Sequence, residues 1–291
     1  MLFDPYLYVA FAIGFLAGRA IHRRPRWVPL ATLASVVVLV GLLGAVLDTV
    51  PWPSLLATIP LAIGFAALIL GLTAGIYLGL ARLRPVPGER PPPAPPIAER
   101  DLPLSLVLLA ALLAGFGVGR VVAVPAEAAI PWVLYVLLAL VGFGIPLRLS
   151  ALRSVWMPLT AAVTGALAAA VVFVVLDRLA LPVALATTLG FGFYSLAGPL
   201  VVARAGALLG LLAFLTNFLH ENLTMLLSPY LGRYLRGGGL TAIGGATSMD
   251  TTLYFITQYG DAEAGSLALA SGLILTIAAS LLLPAVLTLP L

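Results

Sequence analysis

The sequence predicts an all-α integral membrane protein of about eight transmembrane helices, with broken or re-entrant segments in its C-terminal third. Three observations lead there. Of the 291 residues, 62% are hydrophobic and only 9% charged, whereas about a quarter of the residues of a soluble domain carry charge. Mean hydropathy is +1.15. Apolar runs long enough to cross a bilayer, each of ~20 residues, recur along the chain until glycine-rich, polar-spotted segments replace them.

Taken in order, the apolar runs place spans near residues 5 to 21, 28 to 47, 59 to 80, 103 to 121, 130 to 147 and 155 to 176, followed by an irregular region from 183 to 291. The first run follows Asp4 and precedes Arg19, Arg23, Arg24 and Arg26 with no small-x-small cleavage pattern. It reads as a first span and not as a signal peptide. With the N-terminus outside, the inner loops collect Arg19, Arg23, Arg24, Arg26, Arg82, Arg84, Arg90, Arg100, Arg148, Arg153 and Arg204, and the outer loops only Arg120 and Arg178. Loops rich in arginine stay on the cytoplasmic side, so the expected location is multi-pass in the cell membrane. Arg233 and Arg236 take no side in this count.

The segment from Arg82 to Asp101, RLRPVPGERPPPAPPIAERD, is too rich in proline and charge for a helix in lipid and reads as a cytoplasmic linker spanning 82 to 102. It divides two related stretches. GFLAGR (Gly14 to Arg19) and GFGVGR (Gly115 to Arg120) stand at one offset, which also carries Leu39, Val40 and Gly41 onto Leu140, Val141 and Gly142. Three spans separate the copies, so residues 1 to 81 and 103 to 180 are expected to be three-helix units of inverted topology, as in many secondary transporters. Chance similarity in apolar sequence is the competing reading. Residues 183 to 291 are left as the region where transport chemistry would sit.

Three constellations carry that chemistry. The first is GFGFYSLAGP, Gly190 to Pro199, whose glycines and proline break the helix they sit in. Unpaired backbone at membrane depth survives only where protein buries it or a cavity wets it, and Tyr194 and Ser195 would add hydroxyls to the wall of such a cavity. Close glycine-mediated packing is the alternative.

The second is the run from Ala205 to Leu231. Asn217, His220, Glu221, Thr224 and Ser228 fall on one helical stripe, with Leu212, Phe214, Leu215, Phe218, Leu219, Met225 and Leu226 around the rest. A charged carboxylate at bilayer centre costs at least ~2.5 kcal/mol, so Glu221 is a functional candidate. A structural Glu221 bonded to His220 or Asn217, or one lying close to the membrane interface, is the alternative.

In the third, GGGLTAIGGATSMDTTLYF (Gly237 to Phe255), the glycines and hydroxyls suit a re-entrant loop or half-helix. Gly244 and Gly245 allow a tight approach, Thr247 or Ser248 caps a new helix, and Asp250 lies in its first turn. Either Asp250 completes a capping box, or the turn amides from Gly244 to Ser248 bind a carboxylate while Asp250 faces an ammonium group or a proton. Asp48, at the end of the second span and near Trp52, is a further candidate acid on the outer side, with a plain interfacial residue as the alternative.

At GFGFYSLAGP, FLTNFLHENLTMLLSPYL and GGATSMDTTL the chain resembles the LysO lysine-exporter family of prokaryotic membrane proteins. The resemblance is specific over residues 183 to 291 and weaker before. It implies export of L-lysine and carries Glu221, Asp250 and Asp48 over as membrane-embedded acids important for activity. The chain departs from the family pattern where His220 precedes Glu221. Lysine leaving an inside-negative cell works against ~2.3 kcal/mol per charge per 100 mV. A buried acid that binds a proton and a lysine ammonium in turn would make the exchange electroneutral.

Other classes receive less support. Carriers of another cationic amino acid or small cation, a channel and a scaffold remain as alternatives, as does an intramembrane hydrolase with Ser195 as nucleophile and His220 as base, although Ser195 does not stand in a GxSxG turn. The pI of about 9.7 comes from arginines in the loops between spans, so no nucleic-acid partner is expected. With no Cys and two His, thiolate and His-rich metal sites are excluded and no cofactor is expected. The expected partners are the lipid bilayer, protons and L-lysine or a related cationic amino acid; the oligomeric state is not read from sequence.

Overall fold

The computed structural model describes residues 5–21, 25, 27–83, 102–144, 156–175, 179–235, 238–249, 251–260 and 264–290. Among them the regular structure is helical throughout: α1 (Pro5–Ala20), α2 (Trp27–Val46), α3 (Trp52–Leu83), α4 (Leu102–Val121), α5 (Ala126–Gly144), α6 (Trp156–Val175), α7 (Leu181–Thr188), α8 (Tyr194–Ala205), α9 (Ala207–Leu231), α10 (Gly239–Gly244), α11 (Leu253–Tyr259) and α12 (Ala264–Val286). Short 3₁₀ turns cover Leu47–Thr49 and Gly245–Met249. Eight of these helices, α1 to α6, α9 and α12, are unbroken over 16 residues or more, and the protein is an all-α membrane protein. Large apolar side chains such as Leu16, Leu30, Leu56, Leu113 and Trp132 point outward, as they do where lipid replaces water around a bundle.

The six early spans form where hydropathy places them, with two shifts. α3 begins at Trp52, seven residues ahead of the expected 59, and keeps Pro60 inside; α5 begins at Ala126, with Glu127 in its first turn and Pro131 inside. Apolar runs underestimate helices whose first turn holds a proline or an acid, Pro53 in α3 and Glu127 in α5, because both are tolerated where amides have no intrahelical acceptor. Of the linker expected at 82 to 102, Arg82 and Leu83 end α3 and Leu102 starts α4; the rest lies outside the described residues.

Glycines set how closely the early helices approach. A Cβ at Gly14 or Gly18 of α1 would strike the backbone of Ala139 or Phe143 in α5, and one at Gly115 or Gly119 of α4 would strike Gly41 or Ala45 in α2. Both pairs run parallel. The packing equates Gly14 with Gly115 and Gly18 with Gly119, as GFLAGR and GFGVGR predict, but it equates Gly41 with Ala139. The LVG match, which sets Gly41 on Gly142, is therefore three residues out of register with the packing. The cation over the ring repeats as well, with Arg19 above Phe15 and Arg120 above Phe116. α3 and α6 pack antiparallel, joined by Thr73 to Thr164 at 2.9 Å and Tyr77 to Thr160 at 3.2 Å.

Two faces of the bundle follow from specific contacts. The Tyr8 hydroxyl, one turn into α1, donates to Leu281 O, and Arg204 Nε at the end of α8 donates to Leu287 O, so the start of α1 and the ends of α8 and α12 share one face. On the opposite face Gly239, at the start of α10, abuts Tyr77 near the end of α3, and Gly232, just after α9, abuts Tyr259 at the end of α11. The pair α7–α8 therefore enters from the α1 face and returns to it, while α10–α11 enters from the other face and returns there. Both are re-entrant hairpins. This moves Arg204 from the arginine-rich side, where the sequence put it, to the α1 face, because the chain reverses at the glycine break instead of crossing. Arg233, which follows α9, joins the arginine-rich face that holds Arg19.

Candidate functional site

The tips of the two hairpins meet inside the bundle. α7 ends at Thr188 because Leu189 to Gly192 turn the chain, with Phe191 at φ 53° and Gly192 at φ 87°. A positive φ costs an L-residue ~1–2 kcal/mol, so Phe191 is held there by its contacts. Its carbonyl accepts a hydrogen bond of 2.8 Å from Ala246 N of the second tip. Gly245 has φ 61°, and a Cβ there would collide with Phe191 O, so the two unwound segments touch backbone to backbone.

α9 serves both tips. Asn217, Thr224 and Ser228 are fully buried and His220 and Glu221 are 4% exposed, so the stripe read from spacing faces protein along its length. Asn217 Oδ1 accepts from Gly192 N at 2.9 Å, and Nδ2 donates to Thr187 O and Ala213 O, each at 2.9 Å. Its carboxamide thus satisfies an amide and a carbonyl released by the break. One turn later His220 Nε2 donates to Ile243 O at 2.8 Å, and Thr224 Oγ1 donates to His220 O at 2.8 Å and to Ile243 O at 3.1 Å. That carbonyl lies at the end of α10, where the second helix breaks. Asn217, His220 and Thr224 are therefore braces of the two tips, and Ser228 bonds back to Thr224 O at 2.6 Å.

Glu221 has a different position. It lines a cavity of about 670 Å³ together with Tyr194, Ser195, Thr247 and Met249. The wall continues through Pro25, Val28, Phe143 and Gly144, at the start of α2 and the end of α5, so the cavity runs from the arginine-rich face to the hairpin tips. Sequence reading missed this part of the lining: Thr32 of α2 and Thr276 of α12 stand in predominantly apolar spans, and only tertiary packing turns them to a common space. Tyr194 is held edge-on by the rings of Phe214 and Phe218 at 5.7 and 5.6 Å.

The cap expected at Thr247 or Ser248 does not form. Thr247 Oγ1 donates back to Gly244 O at 2.9 Å, Ser248 Oγ donates to Gly245 O at 2.8 Å and to Ala268 O at 3.0 Å, and α11 begins only at Leu253. The tight 3₁₀ turn brings the hydroxyls onto preceding carbonyls instead of following amides. Gly244 and Gly245 do provide the close approach expected of them. Asp250 lies outside the described residues; its neighbours Met249 and Thr251 line the cavity. Asp48 sits half-buried in the Leu47–Thr49 turn beside α4, on the α1 face and away from the cavity. Ser195 and His220 share no hydrogen bond, since His220 Nε2 is engaged by Ile243 O and Nδ1 meets no partner among the described residues.

A family model described as lysine exporter LysO matches residues 109–287, more than half of the chain. The chain belongs to the LysO family. Within it, the lysine exporter LysO of Escherichia coli K12 is 37% identical over 102 residues, covering 34% of this chain and 33% of that protein. A Haemophilus influenzae protein named as a candidate lysine exporter is 32% identical over 99 residues, 34% of this chain and 50% of that one. The aligned stretches thus span no more than half the length of either relative. No solved structure matches. The family match includes both hairpins, α9 and all of α12.

Proposed function

We propose that this LysO-family protein exports L-lysine from the cell in exchange for protons, with the N-terminus outside and Glu221 binding proton and lysine ammonium in turn. The observation that carries the reading is a nearly buried carboxyl lining a cavity that runs from the arginine-rich face to the tips of two opposed hairpins. Arginine-rich loops mark the cytoplasmic side, so lysine enters this cavity from within. Burial makes a carboxylate's charge costly, and either a proton or an ammonium group relieves that cost. Exchange of one for the other moves no net charge against the membrane potential.

Asp250 and Asp48 complete the proposed set of acids, on the family resemblance, with Asp48 near the outer exit. Residues 1–81 and 103–180 act as an inverted repeat in this reading, supported by the paired glycine contacts of α1 with α5 and α4 with α2. Such repeats let one site face the two sides alternately.

The test is efflux of labelled lysine from liposomes holding the full-length protein. Acid outside accelerates a saturable efflux, a protonophore removes the acceleration, and Glu221→Gln and Asp250→Asn each reduce the coupled rate at least about tenfold. Undiminished proton-driven efflux in both variants sinks the assignment of the acids.

A further inference from the structure

One serine in the cavity wall presents two donors that the fold leaves unused. α8 is a helix of 12 residues that begins at Tyr194 without a side-chain cap. Around its start, Phe193 N bonds to Gly190 O, Tyr194 N to Gly192 O, and Leu196 N and Ala197 N both to Phe193 O. Among the described residues Ser195 N has no acceptor and Ser195 Oγ no partner. Yet Ser195 is only 4% exposed, and its small remaining surface belongs to the cavity.

A helix N-terminus carries about half a positive charge on its free amides, and a buried amide without an acceptor is costly. An amide and a hydroxyl converging from one residue form a fork suited to a carboxylate. The second hairpin does not compete for this role. Ala246 N is already bonded to Phe191 O, and the hydroxyls of Thr247 and Ser248 point to carbonyls.

The register of α8 on α9 sets the axial offset to the acid. Gly198 lies against Phe214, Gly210 against Val202, and the rings of Tyr194 and Phe218 meet. In this antiparallel register Ser195 is level with Asn217, so Glu221, four residues further along α9, is offset from it by ~6 Å along the α9 axis. Two complementary sites one helical turn apart suit a zwitterion.

We propose that Ser195 and the N-terminus of α8 hold the free carboxylate of an amino-acid substrate while its ammonium faces Glu221. The inference rests on the export reading for the identity of the amino acid, not for the carboxylate. It assigns selectivity: the free carboxylate admits amino acids and rejects the corresponding amides and diamines, which a lone acid would bind equally well.

Displacement of labelled lysine from the purified full-length protein reads this subsite apart from flux. Lysinamide and cadaverine are expected to displace lysine at least about tenfold more weakly than lysine itself, as loss of a charge-assisted hydrogen bond implies. Ser195→Ala weakens lysine binding about tenfold and narrows its advantage over lysinamide, while Ser195→Thr, which keeps the hydroxyl, restores most of both. Equal displacement by lysine and lysinamide from the unsubstituted protein overturns the subsite, whatever the liposomes transport. Retained discrimination without lysine flux overturns the export reading and leaves the subsite standing. No displaceable lysine binding overturns both.

Discussion

Asn217 places its whole carboxamide on the reversal of the first hairpin, bonding Gly192 N on one side and Thr187 O on the other. It stands four residues before Glu221 on the same helix, and the two have opposite tasks. Asn217 is fully enclosed, and Gly190 leaves it no spare room, since a Cβ there would strike its amide atoms. Glu221 turns to the cavity. Leaving buried backbone groups unsatisfied costs ~1–3 kcal/mol each. Asn217→Ala is therefore expected to lower the thermal unfolding midpoint in detergent far more than Ser228→Ala, which loses only a bond within its own helix. Equal midpoints would show that Asn217 does not brace the hairpin. Polar residues on one stripe were legible from spacing; which of them faces protein and which faces a cavity was not, because both environments select the same residue types.

At the scale of elements, glycine has two distinct uses. In α3, a Cβ on Gly64 or Gly75 would meet nothing within 4 Å, whereas Gly245 is fixed both by a φ of 61° and by the carbonyl of Phe191. Gly→Ala in a helix interior stabilises by ~1 kcal/mol when space allows, and alanine at a left-handed position costs ~1–2 kcal/mol before any collision. Gly64→Ala should raise the unfolding midpoint or leave it unchanged, while Gly245→Ala should lower it and abolish lysine binding. An active, equally stable Gly245→Ala would refute the backbone contact between the hairpin tips. The breaks at 190 to 192 and near 245 could be read from glycine density. The 3₁₀ turn that delays α11 to Leu253 could not, since it exists only because Phe191 O lies against Gly245 and Ala246.

For the molecule as a whole, the arrangement makes a topological claim. A chain with no cysteine lends itself to single-cysteine labelling with a membrane-impermeant maleimide. Arg19→Cys should react from the cytoplasmic side and Arg204→Cys from the outer side, with residues at the start of α1. Labelling of both from one side would show that α7–α8 crosses the membrane. The assignment of Arg204 by counting arginines failed because charge reports the side of a loop only when the preceding segment is known to span.

Composition together with apolar runs of ~20 residues required a helical membrane protein, since lipid offers no partners for open backbone and a barrel strand needs only ~10 residues. Hydropathy located six early spans, and side-chain period assembled the stripe on α9. Those signals are local, carried by residues near one another in the chain. Whether a broken segment crosses or returns, whether the LVG match aligns with the helix packing, and where Ser195 points depend on contacts such as Arg204 with Leu287 and Ala246 with Phe191, between residues 83 and 55 positions apart. A glycine break permits the chain to turn; only the second hairpin, docked against the first and braced by α9, decides where it goes.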